Sequence, residues 1–355
     1  MDFTLDKKHE MARGLFRDFA ETEVKPLAQE TDETEQFPAE TVAKMAKYGF
    51  MGIPVPKEYG GQGCDPLTYV TCVEELSKVC ATTGVIVSAH TSLCIDPIMT
   101  FGTEEQKKKY VVPLAKGEKL GAFGLTEPGA GTDAQGCQTK AVLDGDEWVL
   151  NGSKCFITNG KVADVYIVIA ITSITEDKRG RKKKNFSAFI VEKGAPGFSF
   201  GTKEKKMGIR GSSTYELIFE DCRIPKDALL GQEGRGFPIA MHTLDGGRIG
   251  MPRHLVLQKV LWIVVSSIQR KESSLAVLSH SSRIHSSSLL IWLQESKLLS
   301  FLFTRLPWLR LHRRHTLLKL LRLNYAQQKL QWKLQLRLFS YMVVMVISEN
   351  MTLKE

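Results

Sequence analysis

The spacing of apolar side chains in the first third of the chain is that of helices. Across residues 5–27, apolar side chains such as Leu15 and Phe19 recur at helical intervals. Pro26 predicts where this helix ends, because a proline inside a helix removes a backbone hydrogen bond. Similar runs predict further helices over residues 38–48, 67–79 and 102–114. The pattern therefore predicts an all-helical N-terminal domain over residues 1–118.

From residue 119 the pattern changes to short runs of Val, Ile, Phe and Thr. Asp144-Gly145-Asp146 and Asn151-Gly152 are turn signals between such runs. Many short strands with turns between them favour a β-barrel or sandwich, so residues 119–230 predict a middle β-domain. Residues 231–251 would then begin a C-terminal helical domain. The predicted strands are residues 121–125, 139–143, 147–150, 154–158, 164–170, 186–191 and 214–219.

Composition divides the chain near residue 251. Residues 1–250 contain 32 Lys and Arg against 35 Asp and Glu, a net charge of −3, whereas residues 251–355 contain 16 against 4, a net charge of +12. All 29 glycines lie at or before Gly250. A globular segment as long as the last part would carry roughly seven at the usual frequency. The overall charge of +9 is therefore an average over two unlike parts.

Several classes of protein are disfavoured by the composition. It contains 43% hydrophobic and 25% charged residues, as soluble globular proteins do, and no run of about 18 apolar residues predicts a membrane span. Residues 1–8 show no targeting pattern. The seven cysteines form no Cys-x-x-Cys pair, so we expect no metal site and a reduced, cytoplasmic setting. The basic run at 179–184 predicts a solvated hairpin tip, and we expect neither nucleic-acid nor membrane partners.

Two runs carry candidate chemistry. Residues 125–133, LTEPGAGTD, combine a proline and two glycines, which impose an irregular backbone whose N–H groups can approach a ligand closely. Residues 151–160, NGSKCFITNG, place an aromatic beside a threonine, an arrangement suited to covering a planar cofactor and bonding its edge. Taken singly, the first run is also compatible with a structural turn and the second with an ordinary strand end.

Taken together, these motifs resemble those of the acyl-CoA dehydrogenase family, most closely its short-chain, butyryl-CoA type. The resemblance covers essentially all of residues 1–250, and several independent motifs at the family's spacing make it specific. It implies an α+β multidomain fold, in which an all-α N-terminal domain and a middle β-barrel or sandwich precede a C-terminal helical bundle. The matching runs are residues 53–63, 124–134, 150–160, 205–231 and 234–250.

The resemblance implies that FAD lies between the β-domain and the C-terminal helices. By motif match, Phe123, Leu125 and Thr126 would touch the flavin ring. Thr132 would lie near the FAD pyrophosphate and near the CoA ester of the substrate. The first glycine-rich run would thus serve both cofactor and substrate.

The second run and the start of the C-terminal helices complete the implied site. Phe156, Ile157 and Thr158 would pack on and hydrogen-bond the other side of the flavin. Asp245 and Arg248 match the pair that binds the CoA part of the substrate. From the residues alone, these two also fit an ion pair three positions apart on a helix surface.

The chemistry implied by the resemblance is α,β-dehydrogenation of an acyl-CoA. A glutamate removes the α-proton, the β-hydrogen leaves as hydride to the flavin, and electron-transfer flavoprotein reoxidises the cofactor. Because charge develops on the thioester oxygen, hydrogen bonds to that oxygen and a water-poor site would supply much of the rate. The family assembles as a homotetramer.

Residues 252–355 lack the motifs with which the family continues, and a one-base shift of reading frame explains their absence. The codons of residues 341–347, YMVVMVI, read one base earlier, permit Leu-His-Gly-Gly-Tyr-Gly-Tyr, a family motif. The same shift over residues 271–283 permits Glu-Arg-x-x-Phe-Gly-Arg-Pro, which is another. We therefore predict a frameshift near residue 252, so that out-of-frame sequence replaces the helical bundle and does not fold natively.

The frameshift has a consequence for activity. The Tyr-Glu-Gly segment that holds the family's glutamate base is missing from residues 252–355, so the sequence offers no catalytic residue and predicts an inactive chain. The alternative is a non-catalytic protein that binds flavin, acyl-CoA or another partner and carries a genuine basic tail. The coding DNA distinguishes the two, since only the first predicts a continuous family frame after a one-base change.

Overall fold

The computed structural model describes residues 5–176, 180 and 182–249. The predicted out-of-frame segment, residues 252–355, lies outside the described residues. The helices are α1 Lys7–Phe19, α2 Lys25–Thr34, α3 Ala39–Lys47, α4 Pro66–Val79, α5 Ala81–Ser88, α6 Asp96–Phe101, α7 Glu104–Gln106, α8 Val112–Lys116 and α9 Gly236–Ile249. The strands are β1 Gly121–Gly124, β2 Lys140–Asp144, β3 Glu147–Thr158, β4 Val165–Glu176, β5 Lys182–Glu192, β6 Phe198–Lys203, β7 Thr214–Pro225 and β8 Leu229–Leu230.

The first helix does not end at Pro26. A wide π-helical turn, Ala20–Val24, joins α1 to α2, and Pro26 lies in the first turn of α2. Proline is tolerated at that position, because the hydrogen bond it removes is not required in a first turn. The helix therefore continues to Thr34, and the predicted end was wrong. Helix α7 begins as its sequence indicates, with a capping box between Thr103 and Gln106.

Helices α5 and α6 form one apolar stretch with the π-helical turn Ala89–Ile95 between them. Within the described part of the chain, this stretch is the one helix long and apolar enough to cross a membrane. Most of it lies buried in the fold. Ile95 and Ile98 pack in the same cluster as residues of β4, so the stretch acts as a core helix against the sheet.

The strands form one sheet in the order β6-β7-β3-β2-β4-β5-β8, and β1 pairs in parallel with β4. Strands β2 and β3 form a hairpin in which Asp144 pairs with Glu147, and Gly145 takes the left-handed conformation (φ 62°). This is the turn that Asp144-Gly145-Asp146 indicates. Pairing of Glu176 with Lys182 places the basic run of residues 179–184 at the β4–β5 hairpin, whose residues 177–179 and 181 lie outside the described ones.

The two strands predicted at 147–150 and 154–158 are a single strand, β3. Asn151-Gly152 makes no turn but lies at a β-bulge against β7. Gly152 has φ 142°, and a Cβ there would come within 2.6 Å of the Thr139 hydroxyl oxygen. The glycine is therefore required by close packing within the sheet rather than by a change of chain direction. Strand β6 was not predicted.

Alternation along β4 divides the core into two. Val165, Ile167 and Ile169 face the helices, whereas Tyr166 and Val168 face the interior of the β-domain. Every second side chain of a strand points to the same face, so one strand supplies both cores. Helices packed on a β-domain confirm the predicted fold class for the described residues.

Candidate functional site

The first candidate loop directly follows strand β1. Leu125 follows the strand and is buried in the helix-facing core, and Thr126 is half-buried. The backbone N–H of Glu127 donates to the carbonyl of Ala130 (3.2 Å), and the N–H of Ala130 donates back (3.0 Å). The Pro-Gly pair is thereby held in a tight turn between two hydrogen-bonded residues.

A buried ion pair between Glu127 and Lys154 fastens this loop to strand β3. Lys154 is completely buried, and its Nζ donates to Glu127 Oε1 (2.7 Å) and to the carbonyl of Leu125 (3.1 Å). The same Glu127 carboxylate accepts from the Thr139 hydroxyl (2.6 Å) and from the backbone N–H groups of Thr139 (3.0 Å) and Gln138 (2.6 Å). One lysine and one carboxylate therefore fasten both ends of the loop over residues 125–139.

The two charges of this pair depend on each other. Burial raises the pKa of Glu127, but the Lys154 charge and the hydrogen bonds to the carboxylate outweigh burial and hold that pKa below its usual value. Burial in turn lowers the pKa of Lys154. Removing either partner would leave the other buried without its counter-charge, which is costly.

The end of β3 forms the second candidate loop. Phe156 has φ 59° and is 63% exposed, whereas Ile157 is only 3% exposed. The pairing with β7 shifts register between Lys154 and Ile157, and this bulge turns the aromatic ring outward. Thr158 is half-buried and pairs with Thr214 of β7.

A backbone hydrogen bond joins the two loops. The N–H of Cys155 donates to the carbonyl of Thr126 (2.9 Å), which brings Thr126 next to Phe156. The hydroxyls of Thr126, Thr132 and Thr158 make no hydrogen bond to another described residue, and they can bond a ligand.

The residues present fit a flavin. A Cβ added at Gly129 or Gly131 would meet no atom within 4 Å, so the first loop has open space beside its backbone. An exposed aromatic face, hydroxyl donors and an open glycine-rich backbone are the features that a planar cofactor with a pyrophosphate requires.

The structure places the remaining predicted residues in different settings. Phe123 lies opposite Ile167 and packs, partly buried, against the helix-facing core. Thr132 is exposed on the first loop. Asp245 is half-buried on α9, and the side chain of Arg248 lies outside the described residues, so the expected pair remains a prediction. The structure thus unites residues 125–126 with 156–158.

The sequence reasoning missed the residues that support the loops. Lys154 had a detectable signal, because it is in phase with the inward-facing Trp148 and Leu150 on the same strand. Glu127 lies within the first candidate run, but nothing in that run indicates a buried ion pair. The buried His90 lies in no local pattern that predicts its contacts, and Asn159 lies within the second candidate run, which does not indicate that its side chain is buried.

Comparison with known proteins identifies the family. The family description "Acyl-CoA dehydrogenase, N-terminal domain" matches residues 6–118, and "Acyl-CoA dehydrogenase, middle domain" matches residues 122–222. The chain therefore belongs to the acyl-CoA dehydrogenase family, which confirms the resemblance inferred from the motifs.

Individual relatives agree with this assignment. The short-chain specific acyl-CoA dehydrogenase of Clostridium acetobutylicum is 62% identical over 251 residues, which are 71% of this chain and 65% of that protein. The match thus spans less than two thirds of the relative's own length.

Two solved structures share the fold. Butyryl-CoA dehydrogenase from Megasphaera elsdenii matches with a TM-score of 0.78 and 40% identity, over 87% of this chain and 81% of the other. A chain from the structure described as electron transferring flavoprotein of Acidaminococcus fermentans matches with a TM-score of 0.79 and 45% identity, over 87% and 80%.

Proposed function

We propose that the described residues build the FAD- and acyl-CoA-binding part of a short-chain acyl-CoA dehydrogenase. The observation that carries this proposal is the hydrogen bond from Cys155 to Thr126, which joins two motif loops into one surface. The 62% identity to a short-chain specific enzyme supports the substrate class. The reaction is oxidation of a short-chain acyl-CoA to its trans-2-enoyl-CoA.

Each loop contributes distinct groups to the cofactor site. When bound, FAD supplies the acceptor for the hydride that leaves the β-carbon. Phe156 covers the ring, while the hydroxyls of Thr126 and Thr158 bond its polar edge. Phe123, Leu125 and Ile157 are apolar and exclude water from the ring, which strengthens every hydrogen bond made there.

The substrate and partner are proposed from the same family pattern. Thr132 lies on the open loop and would bond the CoA ester, and Asp245 and Arg248 would bind the rest of CoA. The likeness to a chain from an electron transferring flavoprotein structure supports such a flavoprotein as electron acceptor. A homotetramer is the assembly that the family resemblance implies.

The chain is proposed to bind FAD without turning over substrate. Residues 252–355 contain no Tyr-Glu-Gly segment and no glycine, so they lack the family's base and the flexible turns of its helical domain. A one-base change near codon 252 is expected to restore the glycines. It restores the base where the corrected frame continues past codon 355, since neither frame places Tyr-Glu-Gly within residues 252–355. FAD binding thus depends on residues 119–249, whereas proton abstraction depends on the glutamate that residues 252–355 lack.

The test is titration of the full chain with FAD, followed by a butyryl-CoA assay with a dye acceptor. We expect bound flavin but no dye reduction, and dye reduction after the one-base change in a frame that continues past codon 355. Thr126→Val and Thr158→Val each remove one hydrogen bond and should weaken FAD binding about 2- to 10-fold. Thr202→Val, on an exposed position of β6, is the matched control and should leave the affinity unchanged.

Two results would contradict the proposal. The first is failure of the full chain to bind FAD, which would favour an interaction protein with a basic tail. The second is an equal loss of affinity in Thr202→Val, which would mean that the threonine substitutions act through general destabilisation.

A further inference from the structure

Gly121, the first residue of β1, is held on both of its backbone groups by buried side chains. Its N–H donates to Nδ1 of His90 (3.0 Å), and its carbonyl accepts from Nδ2 of Asn159 (3.1 Å). Both side chains are completely buried. A Cβ at Gly121 would come within 2.5 Å of Cys94, so only glycine lets the helix pack this closely on the strand.

His90 connects this strand to the helices. Its Nε2 lies 3.0 Å from the carbonyl of Leu114 in α8. A carbonyl can only accept and the N–H of Gly121 can only donate, so Nε2 carries the proton and Nδ1 is the acceptor. His90 itself lies in the π-helical turn Ala89–Ile95. The histidine is therefore a neutral bridge between the helical layer and β1.

Asn159 connects the same point to the second loop. Its Nδ2 also reaches the carbonyl of Ile86 in α5 (3.4 Å), and its backbone is left-handed (φ 63°). The backbone carbonyl of Asn159 accepts hydrogen bonds from the N–H groups of Val162 and Ala163. Because Asn tolerates this conformation better than most residues, the side chain and backbone together fix the chain direction after Thr158.

These contacts form one continuous chain of hydrogen bonds, which we call the Gly121 joint: Leu114, His90, Gly121, Asn159 and Ile86. It reaches both candidate loops, since β1 leads directly into Leu125 and Thr126, and Asn159 follows Thr158. The joint thus fixes the start of one loop and the end of the other to the same buried helices. Both side chains of the joint are completely buried.

We propose that His90 and Asn159 are positioning residues that, through Gly121, set the distance and orientation of the two loops that receive FAD. The inference rests on the proposed function and deepens it. Neither residue is proposed to touch the cofactor. Asn159 binds the joint through Nδ2 alone, since its buried Oδ1 has no hydrogen-bond partner among the described residues. The effect on FAD binding arises because these buried hydrogen bonds hold β1 against the helices, and the loss of one leaves the strand free to shift.

The test compares FAD affinity with the stability of the cofactor-free protein, both measured on the full chain. Asn159→Gly keeps the left-handed backbone and deletes the amide, and His90→Phe keeps a ring and deletes both nitrogens. Each should weaken FAD binding about tenfold, the effect of a lost hydrogen bond to a preorganised site. The visible circular dichroism of bound flavin should change in both, because the ring environment is altered.

The double variant is the sharper measurement. The double variant combines His90→Phe with Asn159→Gly. If both residues act through Gly121, either substitution alone already removes most of the joint's contribution to FAD affinity. The double variant should therefore bind FAD about as weakly as either single variant. His90→Gln retains a donor and an acceptor and should recover much of the affinity. Should His90→Phe fail to fold, Asn159→Gly and His90→Gln still decide the question.

Thr83→Val is the matched control. It deletes a buried hydroxyl that donates to the carbonyl of Cys80 (2.8 Å), a bond that is not part of the Gly121 joint. We expect a lower urea midpoint with unchanged FAD affinity. Unchanged FAD affinity in the His90 and Asn159 variants would overturn this inference but not the proposed function. A loss of FAD affinity in Thr83→Val equal to theirs would do the same. Absence of FAD binding in the unsubstituted chain would overturn the proposed function as well.

Discussion

The loop after β1 and the loop that ends β3 lie one hydrogen bond apart, yet different forces hold them. The first buries Leu125, Ala130 and Cys137 in the helix-facing core, and the Glu127–Lys154 ion pair fastens it. Lys154, at the start of the second run, is shared with the first loop through that pair, but residues 155–160 carry no charge. It is held by Ile157 in the core and by two left-handed residues, Phe156 and Asn159.

The difference shows how each loop responds to substitution. A buried ion pair fails when one partner is lost, but its two partners can often be replaced together at little cost. A left-handed residue is strained to begin with, and glycine relieves that strain. The first loop is therefore sensitive to charge and the second to backbone conformation, although both would receive the same cofactor.

The largest effect is expected from Lys154→Met. The substitution leaves the Glu127 carboxylate buried without its counter-charge and should lower the free energy of unfolding by about 3–5 kcal/mol. Urea unfolding of the full chain measures this loss. Lys44→Met, which breaks an exposed ion pair with Glu23, is the control and should cost less than about 1 kcal/mol.

Pairing Lys154→Met with Glu127→Gln tests the reason for that loss. The double variant has no buried charge, and it should recover more than half of the lost stability. A double variant as unstable as the single one would show that packing around the lysine, not charge, fastens the first loop.

The second prediction concerns how the free energy of unfolding depends on pH. It tests His90 of the Gly121 joint, which belongs to neither loop. Burial lowers the pKa of His90 to about 4, against about 6.5 in an unfolded chain. Between these values the unfolded chain binds the proton more readily, so the free energy of unfolding falls as pH drops from 6.5 to 4. The total loss is about 3 kcal/mol.

The measurement is urea unfolding of the full chain at several pH values, compared with His90→Gln. The variant lacks the titrating ring, and its stability should fall less over the same interval. Identical pH profiles for the two proteins would mean that His90 does not contribute the acid sensitivity.

Much of the fold follows from local pattern in the sequence. Alternation in β4 predicts a strand with two apolar faces, and Asp144-Gly145-Asp146 predicts the hairpin that is observed. The motif runs also identify the loops that the structure joins. These features depend on residues close together in the chain, where period and turn chemistry are decisive.

The errors and omissions share a dependence on distant neighbours. The predicted turn at Gly152 ignored the approach of Thr139, thirteen positions earlier in the chain. The predicted end at Pro26 is the exception, because there a local feature, the π-helical turn Ala20–Val24, was missed. Lys154 and Glu127 are separated by 27 positions, and His90 and Gly121 by 31. A single sequence shows that such residues are polar, but only the fold shows which of them meet.

Phe156→Gly makes the last and smallest change, and it isolates strain from function in the second loop. The ring is 63% exposed, so its removal costs little burial, while glycine accepts φ 59° without strain. The cofactor-free protein should become more stable by about 0.5–1 kcal/mol, as relief of a left-handed residue predicts. FAD affinity should nevertheless fall about tenfold, because the covering ring is lost.

The two measurements are the urea midpoint and the FAD titration used above, with Thr202→Val as control. A variant that loses stability and affinity in parallel would place Phe156 among structural residues. Opposite changes in the two quantities would show that the chain tolerates strain at this position because the aromatic ring there serves the cofactor.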